Sequence, residues 1–213
     1  MYFYEDSAEA AASAPNEFHA SIENKIPQPA QNPPDTLPPP AEQISRAIQY
    51  VCTYLRQQRE HYYPAALPLG NQHKASMWPY FSPTLLDQVR IVELEGKRVS
   101  TPSFYAEARA LGFDKLPEVT HMDSVTFLDV VVFNEVLTER SLFHALVHAV
   151  QFQVLGVERY TELFVQQFMR TRTHFTVPLE AQAFSLTSKF IRPAPERFSV
   201  EDQVRSWATD GRY

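Results

Sequence analysis

The chain of 213 residues is 44% hydrophobic and 13% aromatic, enough to bury one good core, and its length suits one folded domain with an appendage. Its formal charge of −6 gathers at the start: residues 1–40 hold six acids (Glu5, Asp6, Glu9, Glu17, Glu23, Asp35) and one lysine, Lys25, leaving 19 acids against 18 bases afterwards. A nearly neutral domain without a basic stripe excludes a nucleic-acid partner, because phosphate binding draws its affinity from clustered Lys and Arg.

The opening "MYFYEDSAEAAASA" has no Lys or Arg and no continuous apolar run, so it does not read as a signal peptide. Nowhere do 18 apolar residues follow one another, so no membrane span is expected. The single cysteine, Cys52, excludes an internal disulfide and fits a reducing compartment, and the expectation is a cytoplasmic protein. From Ile26 to Pro40, "IPQPAQNPPDTLPPP" has seven prolines and no glycine, which favours extended polyproline II and buries no core. Residues 1–40 are expected to be a disordered acidic, Pro-rich tail, and residues 41–213 the domain.

From Ala41, Ile44, Ile48, Val51, Cys52 and Leu55 recur at helical spacing, which predicts an amphipathic helix ending near "HYYP". Pro64 to Pro83 reads as irregular. "SPTLLDQV" predicts a short helix capped by Ser82 with Pro83 at its first position. "VRIVELEGKRVS" predicts a strand, a turn at Glu95-Gly96 and a hairpin return, and "SVTFLDVVVF" over 124–133 a strand covered on both faces. Helices follow over 139–155 up to Gly156, about 158–172, and 178–191 opened by Pro178. One small, mostly antiparallel sheet packed on helices makes an α+β domain.

Two histidines four apart lie in the apolar run "FHALVHAVQ". At that spacing both imidazoles stand on one helix face, about 6 Å apart at Cβ, and can aim at one ion. Zinc asks for at least one more protein ligand, and Glu180 in "VPLEAQAF" stands at the start of a later helix. Buried histidines satisfied by hydrogen bonds, and a glutamate capping its own helix, are the bland alternatives. His174 could also supply an imidazole, but "TRTHFTV" reads as a loop, whereas Ala183 and Phe184 flank Glu180 on a rigid helix. The chain has no phosphate-cradling glycine loop and no G-x-S-x-G elbow.

"LFHALVHAVQ" followed by "VPLEAQAF" resembles the zincin-like metallopeptidase fold, in its glutamate-ligand branch, and in particular poorly characterised bacterial proteins with L-F-H-E-L-V-H-V-V-Q and then P-L-E-x-x-A. The likeness covers about residues 85–190. It implies a zincin-like fold, Zn2+ on His144, His148 and Glu180, and a strand over 125–133 lining a cleft for a peptide or protein ligand. It also exposes a departure: the motif's glutamate, which moves a proton in H-E-x-x-H enzymes, falls on Ala145. The resemblance therefore implies a zinc-binding protein with weak or absent hydrolysis, unless Glu135 or His174 substitutes as the base. Restoring a glutamate at 145 is then expected to restore hydrolysis if the remaining machinery is intact. The alternative is a non-catalytic binding or scaffold protein with structural histidines and no metal.

Overall fold

The computed structural model describes residues 41–110, 113, 115–193 and 196–213, so the tail expected over 1–40 lies outside the described residues. Helix α1 spans Ala41–Tyr62 and buries Cys52 and Leu55. The stretch expected to be irregular contains strand β1, Leu67–Pro68, and helix α2, Asn71–Met77. Helix α2 has no apolar period to reveal it, since Met77 is its one buried residue. Helix α3, Pro83–Gln88, begins as the sequence indicates, with Ser82 Oγ accepting the Leu85 N–H at 3.2 Å.

Strand β2, Arg90–Glu93, is followed by the expected turn, with Glu95 at φ 47° and Gly96 at φ 87°, but no strand returns beside it. The Val99 N–H is instead taken by the buried Asn134 side chain at 2.7 Å, and β2 pairs with distant partners. Helix α4, Tyr105–Ala110, follows. The long strand expected over 124–133 is two strands, β3 (Ser124–Phe127) and β4 (Val130–Phe133), paired antiparallel through a tight turn at Leu128-Asp129. Leu128 takes φ 61°, a conformation that branched side chains avoid, and no glycine or asparagine announces the turn.

The sheet order is β1-β2-β4-β3, with β2 and β4 parallel and the outer pairs antiparallel. Strand β4 is central and buried throughout: Val131 and Phe133 face one core cluster, Val130 and Val132 the other. Helix α5, Glu139–Thr171, starts at a Thr138 capping box and changes direction at Gly156, whose φ of 74° and ψ of 160° are not helical. The stop expected at Gly156 is thus a kink between two helical segments. Helix α6, Pro178–Phe190, lies where expected. Helix α7, Val200–Thr209, was not expected, although Ser199 accepts the Asp202 N–H as its cap.

Seven α-helices and a four-stranded mixed sheet among the described residues make an α+β fold. The first segment of α5 packs in one core, with the Phe143 ring stacked on Phe190 at 4.3 Å, and the second segment packs in the other core through Val157, Leu163 and Phe168. Among the described residues no helix is long and apolar enough to cross a membrane.

Candidate metal centre

His144 and His148 project from one face of α5, and Glu180 reaches them from the first turn of α6. Glu180 is the third residue of its helix, but no side chain caps that helix start, and the carboxylate faces the imidazoles instead. His148 Nε2 stands 3.2 Å from His144 Nε2 and 3.4 Å from Glu180 Oε1, and His144 Nε2 stands 3.5 Å from Glu180 Oε2. Ligand atoms held about 2.0–2.1 Å from a tetrahedral zinc ion stand about 3.3 Å from one another. The spacing of the three groups therefore suits one small cation, and they could hold a metal ion.

The hydrogen bonds behind the rings decide which nitrogens face inward. Gln151 Nε2 donates to the Leu179 carbonyl and to Gln182 Oε1, both at 2.9 Å, so its Oε1 is the acceptor for His148 Nδ1–H, also at 2.9 Å. His148 is thereby held with a lone pair on Nε2, the tautomer a metal requires. Gln182 is fixed in turn: its Oε1 also accepts from the Tyr213 hydroxyl, and its Nε2 donates to the Gln203 carbonyl. His144 Nδ1 lies 3.4 Å from Thr187 Oγ1, which gives its own hydrogen to the Ala183 carbonyl at 2.8 Å and so acts as acceptor.

Two inward lone pairs and a carboxylate at these distances repel unless a positive charge lies between them. Burial alone would raise Glu180, yet the charge of His148 and the closeness of both imidazoles hold its carboxyl well below the usual range. Burial pulls His148 down, but the Glu180 carboxylate and the bond to Gln151 outweigh it and raise it. Burial leaves His144 lowered despite the Glu180 carboxylate beside it. Without a metal the cluster thus keeps its positive charge on His148. Tyr160, whose ring lies 6.4 Å from that of His148, is held neutral by burial and by the Glu180 charge.

Ala145 is 1% exposed, and its carbonyl accepts from Thr126 Oγ1 at 3.2 Å, which ties β3 to α5. No carboxylate stands at its position. Glu135 does not come to the site: it is paired with Arg98 at the exposed end beyond β4. His174 does come close, in a short turn that lines the same cavity, with its ring 3.9 Å from that of Phe175. Burial lowers its pKa, partly offset by Glu180.

The three groups open onto a cavity of about 1090 Å3 bounded by α1, α4, β3 and both segments of α5. Strand β3 lines it from Ser124 to Phe127, whereas β4 does not, which narrows the cleft wall expected over 125–133 to its first half. The sequence reading missed Gln151, Gln182, Thr187 and Tyr160. A glutamine three residues after a histidine, in an otherwise apolar helix, is the signal that could have exposed the first. Comparison of the chain with protein-family models, curated proteins and solved structures finds no match in any of the three.

Proposed function

We propose that the protein is a zinc-binding, metallopeptidase-like protein of zincin-like fold, with zinc on His144, His148 and Glu180 and with peptide hydrolysis weak or absent. The observation that carries it is the set of 3.2, 3.4 and 3.5 Å distances between two imidazoles and one carboxylate, with both rings held from behind by Gln151 and Thr187. The donor set of two imidazoles and one carboxylate, with a cavity on the open side, has the composition of a catalytic rather than a structural zinc site.

Bound there, zinc would act as a Lewis acid towards a substrate carbonyl. The chain's own contribution is positioning: Gln151 and Thr187 aim the imidazoles, β3 offers an unpaired strand edge beside them, and the aromatic walls exclude water. What is missing is a carboxylate to move a proton, since Ala145 has none and general acid–base assistance is worth about 10² to 10⁴ in rate. His174, a titratable group at the cavity wall, is the candidate to take part of that role. This reading places the protein in the cytoplasm, with Cys52 buried and reduced.

The first test is thermal melting with zinc and with a chelator. A metal held only by the folded state, at about 100 times its dissociation constant, adds about 2.7 kcal/mol, or about 5–10 °C in Tm for a domain of this size. A melting temperature indifferent to both, in wild type and in Glu180→Gln alike, would leave a scaffold with structural histidines. Ala145→Glu in the zinc-loaded protein is expected to gain cleavage of a broad peptide library, and no gain would assign the cavity to binding alone.

A further inference from the structure

Beyond the metal centre the cavity follows the second segment of α5. Tyr160, Phe164 and Phe168 line it at successive helical turns, with their rings nearly parallel and the centroids 6.5 and 6.1 Å apart. Arg172 continues the same i, i+4 row, about 18 Å of helix rise from Tyr160. Tyr54 of α1 and Phe104 beside α4 line the cavity too, and both, like Phe164, are only half-buried, so ring surface is open to an occupant. A sugar or nucleotide would have to set its polar groups against those rings and lose its hydration. The body of the occupant is therefore apolar.

The aromatic row ends in positive charge. The Arg172 guanidinium lies over the Phe113 ring, 5.5 Å from its centroid, and the Phe113 N–H donates to the Ala108 carbonyl at 3.0 Å, which draws Arg109 and Lys115 to the same end. All three cations line the cavity, and among the described residues none of them is paired with a carboxylate. The last carbonyls of α5 do not occupy the guanidinium either, since Gln167 accepts from Thr171 Oγ1 at 3.1 Å and Phe168 from the Arg172 backbone N–H at 2.8 Å. The acids along the wall are answered locally: Glu42 pairs with Arg46, Glu118 with His121, and Glu107 accepts from the Tyr50 hydroxyl at 3.4 Å.

We infer that the cavity binds a single-chain amphiphile with an anionic head, of the fatty carboxylate class, with its head on Arg172 and its hydrocarbon chain along Phe168, Phe164 and Tyr160. The guanidinium fork suits a carboxylate, and it is held at the end of the row by its contact with Phe113. Each methylene laid along the rings leaves water, so affinity grows with chain length. The inference goes beyond the metal reading and does not rest on it.

The test is calorimetric titration of the full chain with laurate, octanoate and dodecyltrimethylammonium, below the concentrations at which they form micelles. Laurate is expected to bind at one site and at least about tenfold more tightly than octanoate, which has four methylenes fewer to bury. It is also expected to bind at least about tenfold more tightly than the ammonium, which carries the same chain and the opposite charge. Arg172→Gln is expected to weaken laurate about tenfold, the worth of a hydrogen bond to a charged group, with Tm and zinc content unchanged. Equal affinity for laurate and octanoate, equal affinity for laurate and the ammonium, or unchanged laurate affinity in Arg172→Gln would each overturn the inference. Chelator-treated protein is expected to bind laurate as tightly as untreated protein, and binding lost with the metal would put the carboxylate on the zinc and overturn the anchor at Arg172. Selective laurate binding by a wild type that takes up no zinc would sink the metal reading and leave this one standing; zinc uptake without selectivity would do the reverse.

Discussion

Gln151 and Gln182 are both fully buried, and an amide in an apolar core is costly unless each of its polar atoms is paired. Here the pairing runs from the Gln203 carbonyl through both amides to His148 Nδ1, so the cost of burial is offset while the ring's tautomer is set. Gln151→Met keeps the shape and removes the acceptor. It is expected to weaken zinc affinity about 10- to 100-fold in a competition titration against a chromophoric chelator. Unchanged affinity would show that the tautomer is set elsewhere. The raised pKa of His148 adds a pH dependence: zinc must displace a proton held there by Glu180, so affinity is expected to start falling above pH ~6.5, where an ordinary imidazole begins to compete, and to keep falling as pH decreases. Titrations at several pH values read this directly. The three candidate ligands were legible because i, i+4 histidines and a glutamate in a helix's first turn are chemical signals in one dimension. The glutamine relay was not, because it joins residues 31 apart whose amides carry no ligand chemistry of their own.

At the scale of elements, Gly156 separates the two segments of α5 and so sets where Tyr160 and Phe164 stand relative to His148. A Cβ there would meet no atom within 4 Å, so the constraint is purely backbone: φ 74° with ψ 160° is open essentially only to glycine. Gly156→Ala is expected to cost about 1–3 kcal/mol in urea unfolding, and a neutral result would mean that the second segment can straighten freely. Local signals made several element limits readable, among them Ser82-Pro83, Gly156 and Pro178. Strand partnership was not readable. The turn at Leu128-Asp129 has no glycine or asparagine, the Val99 amide is claimed by Asn134 from 35 residues away, and β2 takes β1 and β4 as neighbours. Helix α7 did carry a signal, Ser199 before Glu201 and Asp202, which the prolines at 193 and 195 obscured.

Across the whole molecule, α5 joins two hydrophobic cores that lie on opposite faces of β4, and the metal centre occupies its first segment, where α6 crosses. Phe143 is fully buried among Tyr80, Phe81, Phe190 and Phe198. Phe143→Ala is expected to remove about 3–5 kcal/mol of stability. It should do so in a single urea transition, since a helix shared by both cores couples them; two transitions would show that they unfold apart. The measurement that bears most directly on the molecule's function is metal content by mass spectrometry, on untagged protein purified without added metal, for wild type and His148→Ala. About one zinc per chain in wild type, lost in the variant, is the expected result. A wild type that contains no metal and takes up none when zinc is added would contradict it.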